Sequence, residues 1–208
     1  MNSKKILTIF LVLLLIFLIF YPTSLSKNDN IVYIKDFLNR EDFQKISTLN
    51  SEKGSFIYEQ FRYTKPLQEQ FVYDIFYGTH NLNKIRNYLN NDIFKSDFPI
   101  EHRFYHKESP GMKWHKDTLL YDVPQYEAIY TIDNQSSSMT QWKDETGQIH
   151  EIWTEPNSLL VVKAQGYEHH VTPPLSGERE ILKLIYTQTN NVNENYHKEM
   201  VRFNKFKK

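Results

Sequence analysis

His115, Lys116 and Asp117 set an imidazole and a carboxylate two positions apart, and far downstream come the pair His169-His170 and then Arg179. Side chains two apart on an extended strand point to the same face. With Lys113–Asp117 read as a strand, His115 and Asp117 face one way together, and a histidine from a distant strand completes two imidazoles and one carboxylate. On one side of a metal, that donor set leaves open positions on Fe(II) for a co-substrate and oxygen. Asp is depleted in strands and, facing inward, needs a partner, so ligation explains Asp117 better than incidental polar alternation. Period two lets only one of His169 and His170 face such a metal. His80, His102, His106, His150 and His197 have no spacing partner and are read as surface or satisfied structural residues.

The rest of the chain must hold these groups in place. Its 208 residues suit one well-packed domain better than two. The 14 Tyr and 14 Phe fit a folded, β-rich body. The 25 basic and 25 acidic residues cancel, so no global field recruits nucleic acid, and no nucleic-acid partner is expected. Absence of cysteine excludes disulfides, thiolate metal sites and cysteine nucleophiles. The basic tail from Arg202 to Lys208 reads as a frayed, solvated terminus.

Residues 1–26 read differently. Lys4-Lys5 precede an apolar run, Ile6 to Tyr21, which spans roughly 24 Å at the helical rise against a hydrocarbon core of ~30 Å. No clear A-x-A cleavage site follows, so this segment is expected to be an uncleaved signal anchor, with secretion after cleavage at Ser24-Leu25-Ser26 as the alternative. The charge asymmetry predicts a single-pass protein with its N-terminus in the cytoplasm and residues 27–208 on the lumenal or exterior side. Supply of a metabolite co-substrate favours an endoplasmic reticulum or Golgi lumen. Asn134-Gln135-Ser136 would be a glycosylation sequon there.

Ile31–Ile34 reads as a strand, followed by a helix with Asn39 as N-cap and Phe43, Ile46 and Leu49 as its apolar stripe. A second helix is expected over Asn83 to Asn90, and Pro99 closes this helical half. Beyond it the period becomes two. Strands are expected at Ile100–His106, Lys113–Asp117, Tyr126–Ile132, Thr140–Lys143, Gln148–Trp153, Ser158–Lys163, His169–Thr172 and Ile181–Gln188. The segments Ser51–Tyr73 and Leu119–Gln125 read as groove-shaping loops, and Asn190–Asn195 as a solvated exit loop. Eight short strands after a helical preface predict a mainly β fold with supporting N-terminal α-helices: a double-stranded β-helix, or cupin-like jelly roll.

At this point the chain resembles the Fe(II)/2-oxoglutarate-dependent dioxygenases, in their prolyl 4-hydroxylase-like branch. Three blocks carry the likeness: Arg103-Phe104-Tyr105-His106 running to Trp114-His115-Lys116-Asp117-Thr118; Pro156 to Val162; and His169-His170-Val171-Thr172-Pro173 followed by Gly177-Glu178-Arg179. The resemblance covers about the last half of the chain, and Ile31–Leu49 is similar to the branch's N-terminal strand and helix. It implies that His115, Asp117 and His169 ligate Fe(II), since His-x-Val-x-Pro fits His169. It also implies that 2-oxoglutarate is the cosubstrate and O2 a substrate, with ascorbate as an optional reductant. The far carboxylate of 2-oxoglutarate suits a bidentate guanidinium, a role the resemblance gives to Arg179, with Lys183 as second choice. Tyr105 stands where this branch often has a cosubstrate-binding tyrosine, and Thr131 could add a hydroxyl. Asp117 argues against halogenating relatives, whose equivalent residue does not ligate.

The implied activity is hydroxylation of a C–H bond in a peptidyl (prolyl) or small-molecule substrate, coupled to decarboxylation of 2-oxoglutarate to succinate. The competing reading is a non-catalytic jelly-roll module that binds a metal or ligand at a membrane surface. A missing ligand or a missing cosubstrate cation would favour that module, and the sequence lacks neither.

Overall fold

The computed structural model describes residues 29–49, 56–59 and 62–206. The anchor read at Ile6–Tyr21 lies outside them; no helix among the described residues is long and apolar enough to cross a membrane. The strands are β1 (Ile31–Ile34), β2 (Ile57–Glu59), β3 (Arg62–Pro66), β4 (Phe94–Lys95), β5 (Glu101–Tyr105), β6 (Met112–His115), β7 (Tyr126–Asn134), β8 (Thr140–Lys143), β9 (Ile149–Ile152), β10 (Ser158–Lys163), β11 (His169–Val171) and β12 (Arg179–Thr187). The helices are α1 (Arg40–Ser47), α2 (Gln70–Tyr77), α3 (Thr79–Leu89) and α4 (Glu194–Val201), which runs into a 3-10 turn at Arg202–Phe206. One sheet has the order β1-β10-β7-β12-β5-β3-β2 with β4 beside β12; the other runs β6-β11-β8-β9. Every pairing is antiparallel. This is the expected jelly roll with its helical preface.

Alternation along the large sheet separates two environments. Ala128, Tyr130, Leu159, Val161, Leu182, Leu184 and Tyr186 join the core with Phe37, Phe76, Ile85 and Leu89 from the helical half. Phe76 meets Tyr130 edge-on at 4.9 Å. The opposite residues of the same strands, Glu127, Ile129, Leu160, Val162, Arg179, Ile181 and Lys183, line the interior cavity. Asn39 caps α1 by accepting from the Asp42 amide, as its position predicts. Asn157, at φ 60, accepts from the Leu38 amide and donates to the Leu38 carbonyl, tying the helical preface to the sheet.

Several expectations need correction. Ser51–Tyr73 is not simply a loop, because β2, β3 and the start of α2 fall within it. Helix α2 escaped the sequence reading because Gln70–Tyr77 is rich in β-branched and aromatic residues that also suit a strand. As far as Phe206, the last described residue, the C-terminal tail is not frayed: Phe203 is buried and meets Phe98 edge-on at 5.4 Å. Nor is Asn190–Asn195 merely solvated, since Asn193 caps α4 and donates to the carbonyls of Leu119 and Tyr121. Asn134 is buried and donates to the Thr154 carbonyl, so the sequon offers no free amide to a glycosyltransferase.

Candidate metal centre

His169 on β11 stands directly opposite His115 on β6, and their rings lie 4.4 Å apart. Asp117 lies two residues past the end of β6, not on the strand; the Gln165 side chain donates to its carbonyl at 2.7 Å. One ligand atom from each of the three residues lies within 4.8 Å of the others. The outward neighbour His170 contacts Gln141 at 2.6 Å and stacks on Trp114 at 4.1 Å. The strand register therefore turns His169 inward and His170 away.

The hydrogen bonds define what this trio can bind. Nδ1 of His115 lies 2.7 Å from the Lys113 carbonyl and Nδ1 of His169 lies 3.2 Å from the Tyr167 carbonyl. A carbonyl only accepts, so each Nδ1 carries a proton and, in the neutral ring, each Nε2 keeps a lone pair; Asp117 raises the His115 imidazole, a pull that a bound cation would replace. Those Nε2 atoms face the Asp117 oxygens at 3.6 and 3.5 Å, and His115 Nε2 is buried without a hydrogen-bond partner. Acceptors converging on acceptors call for a cation between them, and the donor set fits Fe(II). Burial pushes the His169 imidazole below its ordinary range, which favours the neutral, ligating form. Burial also pushes Asp117 up, but His115, Lys183 and His169 more than offset this and hold it below the usual carboxylate range.

The trio opens into a cavity on whose wall lie three cationic side chains: Arg103, Arg179 and Lys183. Arg103 pairs with Glu101 at 2.9 Å and Lys183 with Glu127 at 2.5 Å. Arg179 is 6% exposed, and its Nε has no hydrogen-bond partner. Among the described residues no carboxylate pairs with it, and burial pushes its pKa down. Tyr105, also on the wall, lies on the same face of β5 as Arg103. Burial raises the Tyr105 phenol, yet Arg103, Arg62 and Arg179 bring it below its ordinary value. Thr131 sits on the same face of β7 as Glu127 and Ile129, opposite Ile181 and Ser158. It is fully buried, its hydroxyl is unpartnered, and it is absent from the cavity wall. The sequence reading passed over the Glu127–Lys183 and Glu101–Arg103 pairs. For Glu127–Lys183 the signal is a charged residue interrupting an apolar run, whereas β5, Glu-His-Arg-Phe-Tyr, carries no such signal for Glu101–Arg103.

No protein-family model matches the chain, and no curated protein matches it. Solved structures do resemble it. An oxidoreductase of the 2OG-Fe(II) oxygenase family from Burkholderia pseudomallei superposes with a TM-score of 0.67 at 10% identity, covering 80% of this chain and 88% of that one. The viral collagen prolyl hydroxylase of Paramecium Bursaria Chlorella virus-1, in a 2OG complex, gives 0.56 at 14% identity, covering 79% and 99%. HygX of Streptomyces hygroscopicus, with nickel and 2-oxoglutarate bound, gives 0.55 at 11% identity, covering 77% and 84%. The fold of this chain is the fold of those oxygenases.

Proposed function

We propose that this protein is an Fe(II)- and 2-oxoglutarate-dependent dioxygenase that hydroxylates a C–H bond. The observation that carries the reading is a buried, unpaired Arg179 on the wall of the same cavity as the His115–Asp117–His169 trio. A cation without an anion and a lone-pair cluster without a metal are the two halves of a site for a metal-chelating dicarboxylate. His115, Asp117 and His169 would hold the metal. Arg179 would bind the far carboxylate, a role for which Lys183 is already committed to Glu127. Tyr105, beside Arg103 on the cavity wall, would orient that carboxylate from the side. Bound Fe(II) supplies the redox chemistry, in which 2-oxoglutarate and O2 become succinate and CO2 and one oxygen atom enters the substrate. Met112, Ile129, Leu160, Val162, Val171 and Ile181 line the cavity and exclude water.

A peptidyl (prolyl) or small-molecule substrate is supported only by fold-level analogy, since the similar structures include prolyl hydroxylases and HygX, one structure of which holds hygromycin B. The test is anaerobic titration of the protein with Fe(II) and 2-oxoglutarate. A visible charge-transfer band requiring both, followed by succinate release on admission of O2, is the expected result. Absence of the band at saturating metal and 2-oxoglutarate overturns the proposal. We also propose that Ile6–Tyr21 anchors the domain to a membrane, on the apolar run and Lys4-Lys5 alone. Release of full-length chain by carbonate extraction would refute the anchor. Protease protection reports the side, because buried Asn134 cannot serve as a glycosylation reporter.

A further inference from the structure

The C-terminal segment touches both halves of the site. At its start, Asn193 and Asn195 donate to the Leu119 carbonyl at 3.0 and 3.2 Å, gripping the loop that leaves Asp117. At its end, Arg202 donates through Nη2 to Oε1 of Glu101 at 2.5 Å. That carboxylate is 1% exposed. It also accepts from Arg103 at 2.9 and 3.2 Å and from the Thr64 hydroxyl at 3.3 Å. Burial pushes the Glu101 carboxyl up, but Arg103, Lys183 and Arg202 more than offset it and hold it at about 2, so the anchor stays ionised at neutral pH. Arg103 stands two residues from Tyr105 on the same face of β5, its charge bears on the Tyr105 phenol, and both line the cavity with Arg179.

A competitor stands beside this chain of contacts. Arg62 lies opposite Tyr105 on the neighbouring strand, as the Tyr63–Phe104 register requires. It is buried, its Nε has no partner, and it lies within electrostatic reach of Glu101 and Arg103. With Arg202 in place, Glu101 is bound from the tail side and stays on Arg103. Without it, Arg62 and Arg103 would compete for one carboxylate, and the cation beside Tyr105 would lose its fixed support.

We propose that Arg202 is a positioning residue of the cavity: by holding Glu101 it fixes Arg103, and through Arg103 the Tyr105 hydroxyl that faces whatever anion Arg179 binds. The proposal leans on the dioxygenase reading only for the identity of that anion. Its test uses the full-length chain, the variants Arg202→Ala, Arg202→Lys and Phe203→Ala, and two readouts. One is the 13Cζ resonance of Tyr105 without any ligand, assigned with Tyr105→Phe. The other is the Kd for 2-oxoglutarate in the presence of Mn(II), with the Mn(II) Kd measured separately.

Arg202→Ala should move the Tyr105 resonance and raise the 2-oxoglutarate Kd on the order of fivefold or more, with the metal Kd within about twofold. Arg202→Lys should recover part of both effects. Phe203→Ala, which loosens the packing of the tail but leaves the ion pair, should lower Tm and move neither readout. If alanine unfolds the segment, Arg202→Gln carries the same expectation. A Tyr105 resonance unmoved in Arg202→Ala, or moved equally by Phe203→Ala, overturns the proposal. If the wild-type chain shows no saturable 2-oxoglutarate binding, the dioxygenase reading falls, and the Tyr105 resonance alone decides the positioning claim.

Discussion

Replacing Arg179 with methionine should separate affinity from stability in opposite directions. The guanidinium is 6% exposed and unpaired, so without a bound anion it is a desolvated charge with no compensating carboxylate among the described residues. Burial pushes its pKa down, which marks the ionised form as disfavoured there. An apolar side chain of similar length removes that penalty. Exchanges of buried charge for well-packed apolar groups are often neutral or stabilising by about 1–4 kcal/mol, so the Tm of the ligand-free protein should hold or rise. Binding should show the reverse. Truncating one partner of a buried, hydrogen-bonded charge pair costs about 2–5 kcal/mol. At about 1.4 kcal/mol per decade this is a Kd for 2-oxoglutarate weakened roughly 30- to 4,000-fold. Thermal unfolding of the metal-free protein and calorimetric titration with 2-oxoglutarate at saturating Mn(II) give the two numbers. An Arg179→Met protein that loses stability yet binds 2-oxoglutarate within twofold of wild type would refute the reasoning. A similar affinity loss in Lys183→Met alone would move the carboxylate to Lys183.

Asp117→Ala and His169→Ala should each abolish stoichiometric metal binding, while His170→Ala keeps it; metal analysis after dialysis decides, and loss only in His170→Ala would place the wrong histidine in the site. Lys183→Met leaves Glu127 buried and unpaired and should cost about 3–5 kcal/mol in denaturant unfolding. Adding Glu127→Gln should restore much of that loss. For acid stability, Glu101 has a depressed folded pKa of about 2. Its contribution is therefore complete above the unfolded value of about 4.3 and fades as pH falls toward the folded one. Glu101→Gln should flatten the decline of stability between about pH 4 and 2, and an unchanged acid limb would show that the carboxylate does not hold this charge.

The second half of the fold was legible because its strands alternate and most turns between them carry Gly, Pro, Asn or Asp. Thr140–Lys143 and Ser158–Lys163 coincide with their strands, and the remaining six differ by a residue or two at an end. Asp117 shows the limit of periodicity. It was placed inward by counting along a strand that ends at His115, and it reaches the site from a loop instead. Helix α2 was missed because aromatic and β-branched residues serve strand and helix alike once tertiary burial decides. In the tail, Tyr196, Met200 and Phe203 form an i, i+4, i+7 stripe that packs on Phe98, Leu120, Tyr121 and Ile185. That stripe was readable, but its basic neighbours suggested a solvated end. The Arg202–Glu101 contact was not readable, because its partners are 101 positions apart and neither belongs to a spacing motif.

The charged cavity is tolerable because the large sheet is used on both faces. On β12, Leu182 and Leu184 turn outward into the helix-covered core and are fully buried, while Arg179, Ile181 and Lys183 turn into the cavity. Each buried leucine contributes roughly 1.5–3 kcal/mol. Each buried ion costs several kcal/mol unless something pairs with it. Neighbouring strands packed on one face only, β7 with Glu127 and β12 with Lys183 and an unpaired Arg179, could not carry these groups without a second source of stability. The helices α1 to α3, remote from the metal ligands in sequence, supply it by covering the outward face. The same division explains where local rules break. Pairing removes the penalty for Arg103 and Lys183, whereas Arg179 Nε and His115 Nε2 stay buried without a hydrogen-bond partner, as the proposed dicarboxylate and metal site requires. Unrelieved polar groups held in place by a core on the other side of the sheet are what distinguish a binding cavity from a packing defect.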